Sequence, residues 1–275
     1  MERKGGDNDL YVFDRAIKVE VRNEKVIVKV IKEILVREYV LDIIVQGLRI
    51  RTYLISPKMI NEFVYGNLYT LGVIDNVDDV IKVEYKDHSA NVYLKPKPRV
   101  VKAFLNIIGP SCEEKSSISY TTNKITSRTI IPAKHIISIL NIFNDKSTVF
   151  RITGGVHAAA LFDVKSLNPL VFIEDIGRHN AIDKVIGWGI LRKLNFEETV
   201  LVTSGRIFTD SIHKAIRAGI PIVVSKSAPT YEAVNYARRA NITLIGFARG
   251  LRFNVYSGFH RVKELSNYND LENLF

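Results

Sequence analysis

Cys112 stands in GPSCEEKSS, between an apolar strand candidate at Val101–Ile108 and a helix expected to begin near Pro132. It is the single cysteine of the chain, so an intrachain disulfide framework and any multi-cysteine metal site are ruled out. A thiol on a stretch of small and polar residues suits a carrier that accepts a group and passes it on. An incidental surface cysteine fits the spacing equally well. Lys115 raises the thiolate fraction, and Glu113 and Glu114 lower it. A second set of residues suits anions. Gly177, Arg178, His179 and Asn180 combine backbone N–H groups, a guanidinium and a helix-capping amide, and Ser204, Gly205 and Arg206, then Ser227 of SAPT, repeat that provision. Arg249, Gly250 and Arg252 are placed either to meet a nucleotide pyrophosphate or to close a hairpin into FNVY. His157 in GGVHAAA is expected after a strand at Val149–Thr153 and near the start of a helix, where it contacts a ligand or bonds to backbone. A zinc deaminase would carry glutamate two residues later and a Cys-x-x-Cys pair. Here the residue is Ala159, so neither zinc nor deamination is expected.

These segments share a position in a repeating pattern. Apolar runs at Leu170–Ile173, Thr199–Thr203, Ile222–Ser225 and Ile242–Phe247 are bounded by turn residues and read as strands. Helical faces fill the gaps: Ile182, Val185, Ile186, Gly189 and Ile190; then Ile212, Ala215, Ile216 and Gly219; then Val234 and Ala237. The alternation predicts a parallel sheet with right-handed crossovers. Ligands of such sheets bind beyond the carboxyl ends of the strands, where GRHN, TSGR, SAPT and ARGLR fall.

A smaller unit precedes the sheet. Tyr39–Val45 and Leu48–Leu54 flank Gln46-Gly47 as a hairpin, a serine-capped helix follows in SPKMINEFVYGNLYTLGVI, and Val80–Tyr85 pairs with Ala90–Leu94 around KDHS. The proline-spaced KPKPR at Lys95–Arg99 reads as an extended connector, which sets the expected units at 1–100 and 101–275.

The balance of residues is that of a folded protein, 47% hydrophobic and 25% charged, with no apolar run long enough to span a bilayer and no secretory leader in MERKGGDNDL. The expectation is a cytoplasmic protein with no membrane partner. A formal charge of +10 favours an anionic ligand, although ion-pair networks of a thermophilic surface give a similar composition. Zinc-finger spacing, an RNA-binding aromatic signature and a basic tail are all missing, so nucleic acid is not the expected partner.

Taken in order, TGGVHAAALFD, EDIGRHNAIDKVIG, TSGR, AGIPIVVSKSAPT and LIGFARGLRFNVYSG closely resemble the formate dehydrogenase accessory sulfurtransferase family, FdhD/NarQ. The resemblance covers roughly residues 35–265 and is dense from Thr153 onward. It implies a cytidine-deaminase-like α/β fold, a mixed and mostly parallel sheet flanked by helices, with a smaller N-terminal α+β unit and without the deaminase zinc. It implies a sulfurtransferase that takes persulfide sulfur from a cysteine desulfurase and delivers it to a molybdenum or tungsten bis-molybdopterin guanine dinucleotide cofactor, for the formate dehydrogenase catalytic subunit. By the same resemblance Cys112 is the persulfide carrier, at the first position of the family's Cys-x-x-Cys loop. Phe247, Ala248, Arg249, Gly250, Leu251 and Arg252 form the cofactor-contacting turn. The second cysteine of that loop is Lys115 here, which leaves a one-cysteine mechanism. The alternatives are a pterin-binding chaperone without covalent transfer and an unrelated nucleotide enzyme that would turn over free nucleotide. A homodimer is expected.

Overall fold

The computed structural model describes residues 10–96 and 123–266. Cys112, the strand candidate at Val101–Ile108 and the end of the KPKPR connector lie outside them. The chain opens with a two-stranded antiparallel ribbon, β1 (Tyr11–Arg22) and β2 (Lys25–Val36), for which the sequence patterns above made no provision. Next come β3 (Tyr39–Val45), β4 (Leu48–Ile55), α1 (Ile60–Thr70), β5 (Val80–Lys86) and β6 (Ser89–Leu94), with the four strands in the order β4-β3-β6-β5. The remainder is α2 (Ala133–Lys146), α3 (Thr148–Thr153), β7 (His157–Asp163), β8 (Pro169–Asp175), α4 (Arg178–Leu191), β9 (Thr199–Thr203), α5 (Thr209–Ala218), β10 (Ile222–Ser225), α6 (Tyr231–Arg239), β11 (Thr243–Arg249) and β12 (Arg252–Ser257).

Its six-stranded sheet runs β12-β11-β10-β9-β7-β8. Only β9, β10 and β11 pair in parallel; the pairs β7–β8, β7–β9 and β11–β12 are antiparallel. The expectation of a largely parallel ladder therefore holds only at the centre. The physical reason lies in the connections. Gly250 and Leu251 alone join β11 to β12, and no helix separates β7 from β8, whereas a parallel partner needs a crossover of a dozen residues or more. Strand alternation divides the core. Ala159, Leu161, Leu201, Val223 and Leu244 pack beneath α4, α5 and α6, while Ala158, Ala160, Phe162, Val200, Val202, Ile222 and Val224 pack on α2.

Two expectations near His157 are corrected. Thr148–Thr153 is a short helix, not a strand, and HAAALFD is a strand, not a helix. The β-branched run of TVFRIT suggests a strand, but Glu174 on β8 accepts from the backbone N–H groups of Val149 (2.9 Å) and Phe150 (2.8 Å) and fixes a helix start there. HAAALFD is held between two strands and is buried on both faces, so tertiary pairing overrides the helix preference of its alanines.

The expected serine cap on α1 is also corrected. Met59, with φ 55°, precedes the helix without a side-chain cap. Ser56 instead turns inward. Its N–H donates to Asp175 Oδ2 at 3.0 Å, its Oγ accepts from Ile176 N at 3.1 Å, and its carbonyl accepts from Lys184 Nζ at 2.8 Å. Asp175 and Lys184 are fully buried and pair at 2.5 Å. Gly177 N–H and Asn180 Nδ2 occupy the other carboxylate oxygen at 2.8 and 2.9 Å. A few residues on, α1 and α4 touch backbone to backbone. A Cβ on Gly66 would collide with the Asp183 carbonyl, and one on Gly187 with the Glu62 carbonyl. A second buried pair seals that contact: Lys214 Nζ meets Asp183 Oδ2 at 2.8 Å, and Asp183 also accepts from Asn67 Nδ2 and Thr70 Oγ1 of α1. The four-stranded unit is thereby fastened to the large sheet through polar groups that water does not reach.

Removing one member of a buried pair leaves the other charged and unsolvated, at a cost of about 3–5 kcal/mol. Asp175→Ala is expected to lower unfolding stability by that amount in a denaturant titration. A loss below about 1 kcal/mol, the scale of an exposed ion pair, would show that this pair does not hold the structure together.

Candidate functional site

Because β7 runs against β9, its first residue lies at the edge where the parallel strands end. His157 pairs with Asp175 across β7–β8, and Ala159 pairs with Thr203 at the end of β9. The loops after β8, β9, β10 and β11 and the start of β7 thus converge on one edge. A cleft of about 440 Å³ opens there, lined by Ser147, Phe150, His157, Ala158, Ser204, Lys226, Ser227 and Arg249. Four of the residues singled out from sequence, His157, Ser204, Ser227 and Arg249, meet in it.

Their geometry is fixed by short bonds. Ser204 Oγ accepts from Ala158 N at 2.9 Å and lies 3.4 Å from His157 Nδ1, and Ser227 Oγ donates to Ser204 O at 2.9 Å. Arg249 Nε donates to the Lys226 carbonyl at 2.9 Å. Arg252 stands opposite Arg249 across the tight Gly250–Leu251 turn, with both guanidiniums exposed. Phe247, at φ 50° in a β-bulge, turns its ring partly outward, whereas Ala248 faces the core. Leu251 is 88% exposed.

A second cationic patch flanks the cleft. The guanidiniums of Arg178 and Arg206 lie 4.6 and 5.4 Å from the ring centre of Phe208, and Gly205 gives Arg178 room, since a Cβ there would come within 2.9 Å of the Arg178 side chain. His179 Nδ1 lies 2.7 Å from Asp210 Oδ2. Burial opposes ionisation of Asp210, but Lys214 and His179 outweigh it and hold its carboxyl far below the usual carboxylate range. Gly177 N–H and the Asn180 amide donate inward. Their donors are spent on Asp175, and Asn180 also on the Leu54 carbonyl at 2.7 Å.

Electrostatically the edge is short of anions. Burial, then Arg178, His179 and Arg206, push the His157 imidazole below its ordinary value, so it is neutral at neutral pH. Burial and Arg249 likewise lower the Lys226 ammonium. Cations that depress one another in this way are relieved by a bound phosphate. Among the described residues, no group of three or more His, Cys, Asp or Glu side chains gathers as metal ligands do. Sequence reasoning missed Lys226 and Phe208, although Lys226 sits in the quoted SKSAPT; only the sheet order shows that it faces Arg249. It also missed Asp175 and Lys184, whose pairing at nine residues' separation has no motif.

The fold and edge define an α/β protein with a cleft lined by His157, Lys226 and Arg249 at the carboxyl ends of parallel strands. The FdhD/NarQ family profile matches residues 36–263, and the chain belongs to that family. It is 42% identical over 211 residues to the sulfur carrier protein FdhD of Sulfurisphaera tokodaii, covering 75% of this chain and 82% of that one. The sulfur carrier protein FdhD of Methanothermobacter thermautotrophicus is 33% identical over 257 residues, 92% of this chain and 99% of its own. A crystal structure from Desulfotalea psychrophila, described as a candidate formate dehydrogenase accessory protein, superposes with a TM-score of 0.74 at 23% identity, covering 92% of this chain and 99% of that one.

The cationic edge gives a direct test. Pyrophosphate added to the protein is expected to move the His157 pKa upward in an NMR titration, because it neutralises the charges that depress it. An unmoved His157 titration at saturating pyrophosphate would place anion binding elsewhere.

Proposed function

We propose that the chain is a sulfur carrier in formate dehydrogenase maturation. The thiolate of Cys112 attacks the outer sulfur of a cysteine desulfurase persulfide, the donor's S–S bond breaks, and the desulfurase thiolate leaves. Cys112 then holds the persulfide. The exchange needs neither an oxidant nor a second cysteine, which suits a chain with Lys115 in place of one. The cargo it serves is the bis-molybdopterin guanine dinucleotide cofactor of molybdenum or tungsten, bound by its guanine nucleotide part at the cleft of His157, Lys226 and Arg249. The observation that carries this reading is that convergence of cations on one sheet edge in a chain of the FdhD/NarQ family. Phosphate oxygens would meet Lys226, Arg249 and Arg252, with Arg178 and Arg206 beside them, while the neutral imidazole of His157 offers a hydrogen bond rather than a charge. The antiparallel pairing of β7 with both β8 and β9 supports keeping the cytidine-deaminase-like description of the sheet within the same proposal.

The test is intact-mass measurement after incubation with a cysteine desulfurase and cysteine. One added sulfur on Cys112 is expected, and none on Cys112→Ser. The serine variant should keep its melting temperature and nucleotide affinity while failing to activate formate dehydrogenase. Normal activation by Cys112→Ser, with no adduct on the unaltered protein, would overturn the carrier role and favour a chaperone that only holds the cofactor.

A further inference from the structure

Among the described residues that line the cleft at the sheet edge, Phe150 is the single large apolar side chain, and it is 47% exposed. The local sequence TVFRIT fixes its direction. Val149 and Phe150 are neighbours on α3, so about 100° of helix separates their side chains. Val149 is buried against Leu10 and Val156, which turns Phe150 away from that cluster and into the cleft. The helix is held against rolling. Glu174 accepts from the N–H groups of Val149 and Phe150, Thr153 Oγ1 donates to the Val149 carbonyl at 2.8 Å, and Gly154, at φ 65°, donates its N–H to the Phe150 carbonyl at 2.8 Å. Among the described residues no other ring stacks on Phe150, whereas Phe143 meets Phe172 edge-on with ring centres 5.4 Å apart. A fixed, half-exposed ring in a cleft is a ready surface for a planar ligand.

Its place along the edge says which part of a ligand it meets. The strands run β11-β10-β9-β7-β8, with Arg249 closing β11, Lys226 following β10, His157 opening β7 and Phe150 anchored to Glu174 of β8. Cations therefore stand at one end of the cleft and the ring at the other. From β10 to β8 is three strand spacings, about 14 Å, the reach of a nucleotide from its diphosphate to the outer edge of its base. We infer that Phe150 stacks on the planar heterocycle of the anionic ligand whose phosphates meet Lys226 and Arg249, which rests on a nucleotide binding at this edge. Guanine and pterin share that chemistry, a flat ring tethered to a diphosphate. Because the backbone of Phe150 is pinned before any ligand arrives, little conformational freedom is lost when the ring is covered.

Calorimetric titration of the full-length protein with pyrophosphate, guanosine diphosphate and hydroxymethylpterin diphosphate tests the inference. The unaltered chain should bind at least one ring-bearing diphosphate about tenfold or more tightly than pyrophosphate, as base–aromatic stacking does elsewhere. Phe150→Ala and Phe150→Leu should erase that advantage and leave the pyrophosphate affinity unchanged. Phe150→Tyr should keep it. Ile152→Ala, which removes an exposed apolar side chain of the same helix from outside the cleft lining, should change neither. The ring whose advantage is lost is the one that stacks. In the NMR spectrum the carbon-bound ring proton of that bound heterocycle should move upfield by ring current, and the shift should vanish in Phe150→Leu. Circular dichroism of each variant checks that the fold is intact. A ring advantage that survives Phe150→Leu, or an equal loss of pyrophosphate binding, would overturn the stacking role and leave the cationic edge in place. A chain that binds none of the three would remove the nucleotide reading of the edge, and the stacking with it.

Discussion

The buried contact between Asp175 and Lys184 is the interaction from which the rest of the arrangement follows. Asp175 ends β8 at the ligand-bearing edge, and its carboxylate accepts from four donors: Lys184 on α4, Gly177 and Asn180 at the start of α4, and Ser56 from the four-stranded unit. One side chain thus sets where β8 stops, where α4 begins and how the small unit is seated. Desolvating two charges is unfavourable unless they are paired and hydrogen-bonded, and here both carboxylate oxygens accept twice and the ammonium donates to Asp175 and to the Ser56 carbonyl. Burial pushes the Lys184 ammonium below its ordinary value, so the neighbouring carboxylate is what keeps it charged. Such a pair contributes a unique arrangement more than net stability, because any slip of α4 against β8 strands both charges.

The same edge divides its polar residues between two tasks. Gly177, Asn180 and Ser56 turn inward and satisfy Asp175, while His157, Lys226, Arg249, Arg178 and Arg206 keep a face toward solvent. Burial is the larger cause of the lowered His157, Arg178 and Lys226, and repulsion among neighbouring cations adds to it, offset at Arg178 by Asp210. The scaffold tolerates that repulsion because Asp175 and Asp183 fasten the layers beneath it. An anionic ligand is what would relieve it.

Much of this was legible in sequence, and the reasons for the rest are specific. Thr199–Thr203 and Ile222–Ser225 were read to the residue because apolar runs bounded by Ser, Gly and Pro leave one choice of ends. Thr148–Thr153 and His157–Asp163 were exchanged, helix for strand, because what decides them is non-local: Glu174 capping one, and β8 and β9 enclosing the other. Asn180 was read as a ligand group on its type alone, and nothing in the chain near it announces that Asp175 and Leu54 claim its amide. The ribbon passed unread although KVEVR and KVIVKV alternate with strand period, since an apolar face that the other described residues leave exposed runs against the usual expectation of a core.

The central claim is that the carboxyl edge of the sheet receives the nucleotide part of the cofactor. A crystal structure of the chain with guanosine diphosphate tests it most directly. The account predicts the diphosphate between Lys226 and Arg249, within hydrogen-bonding distance of both and in reach of His157. A diphosphate bound at the opposite edge, against Lys124, Arg238 and Arg239, would contradict it.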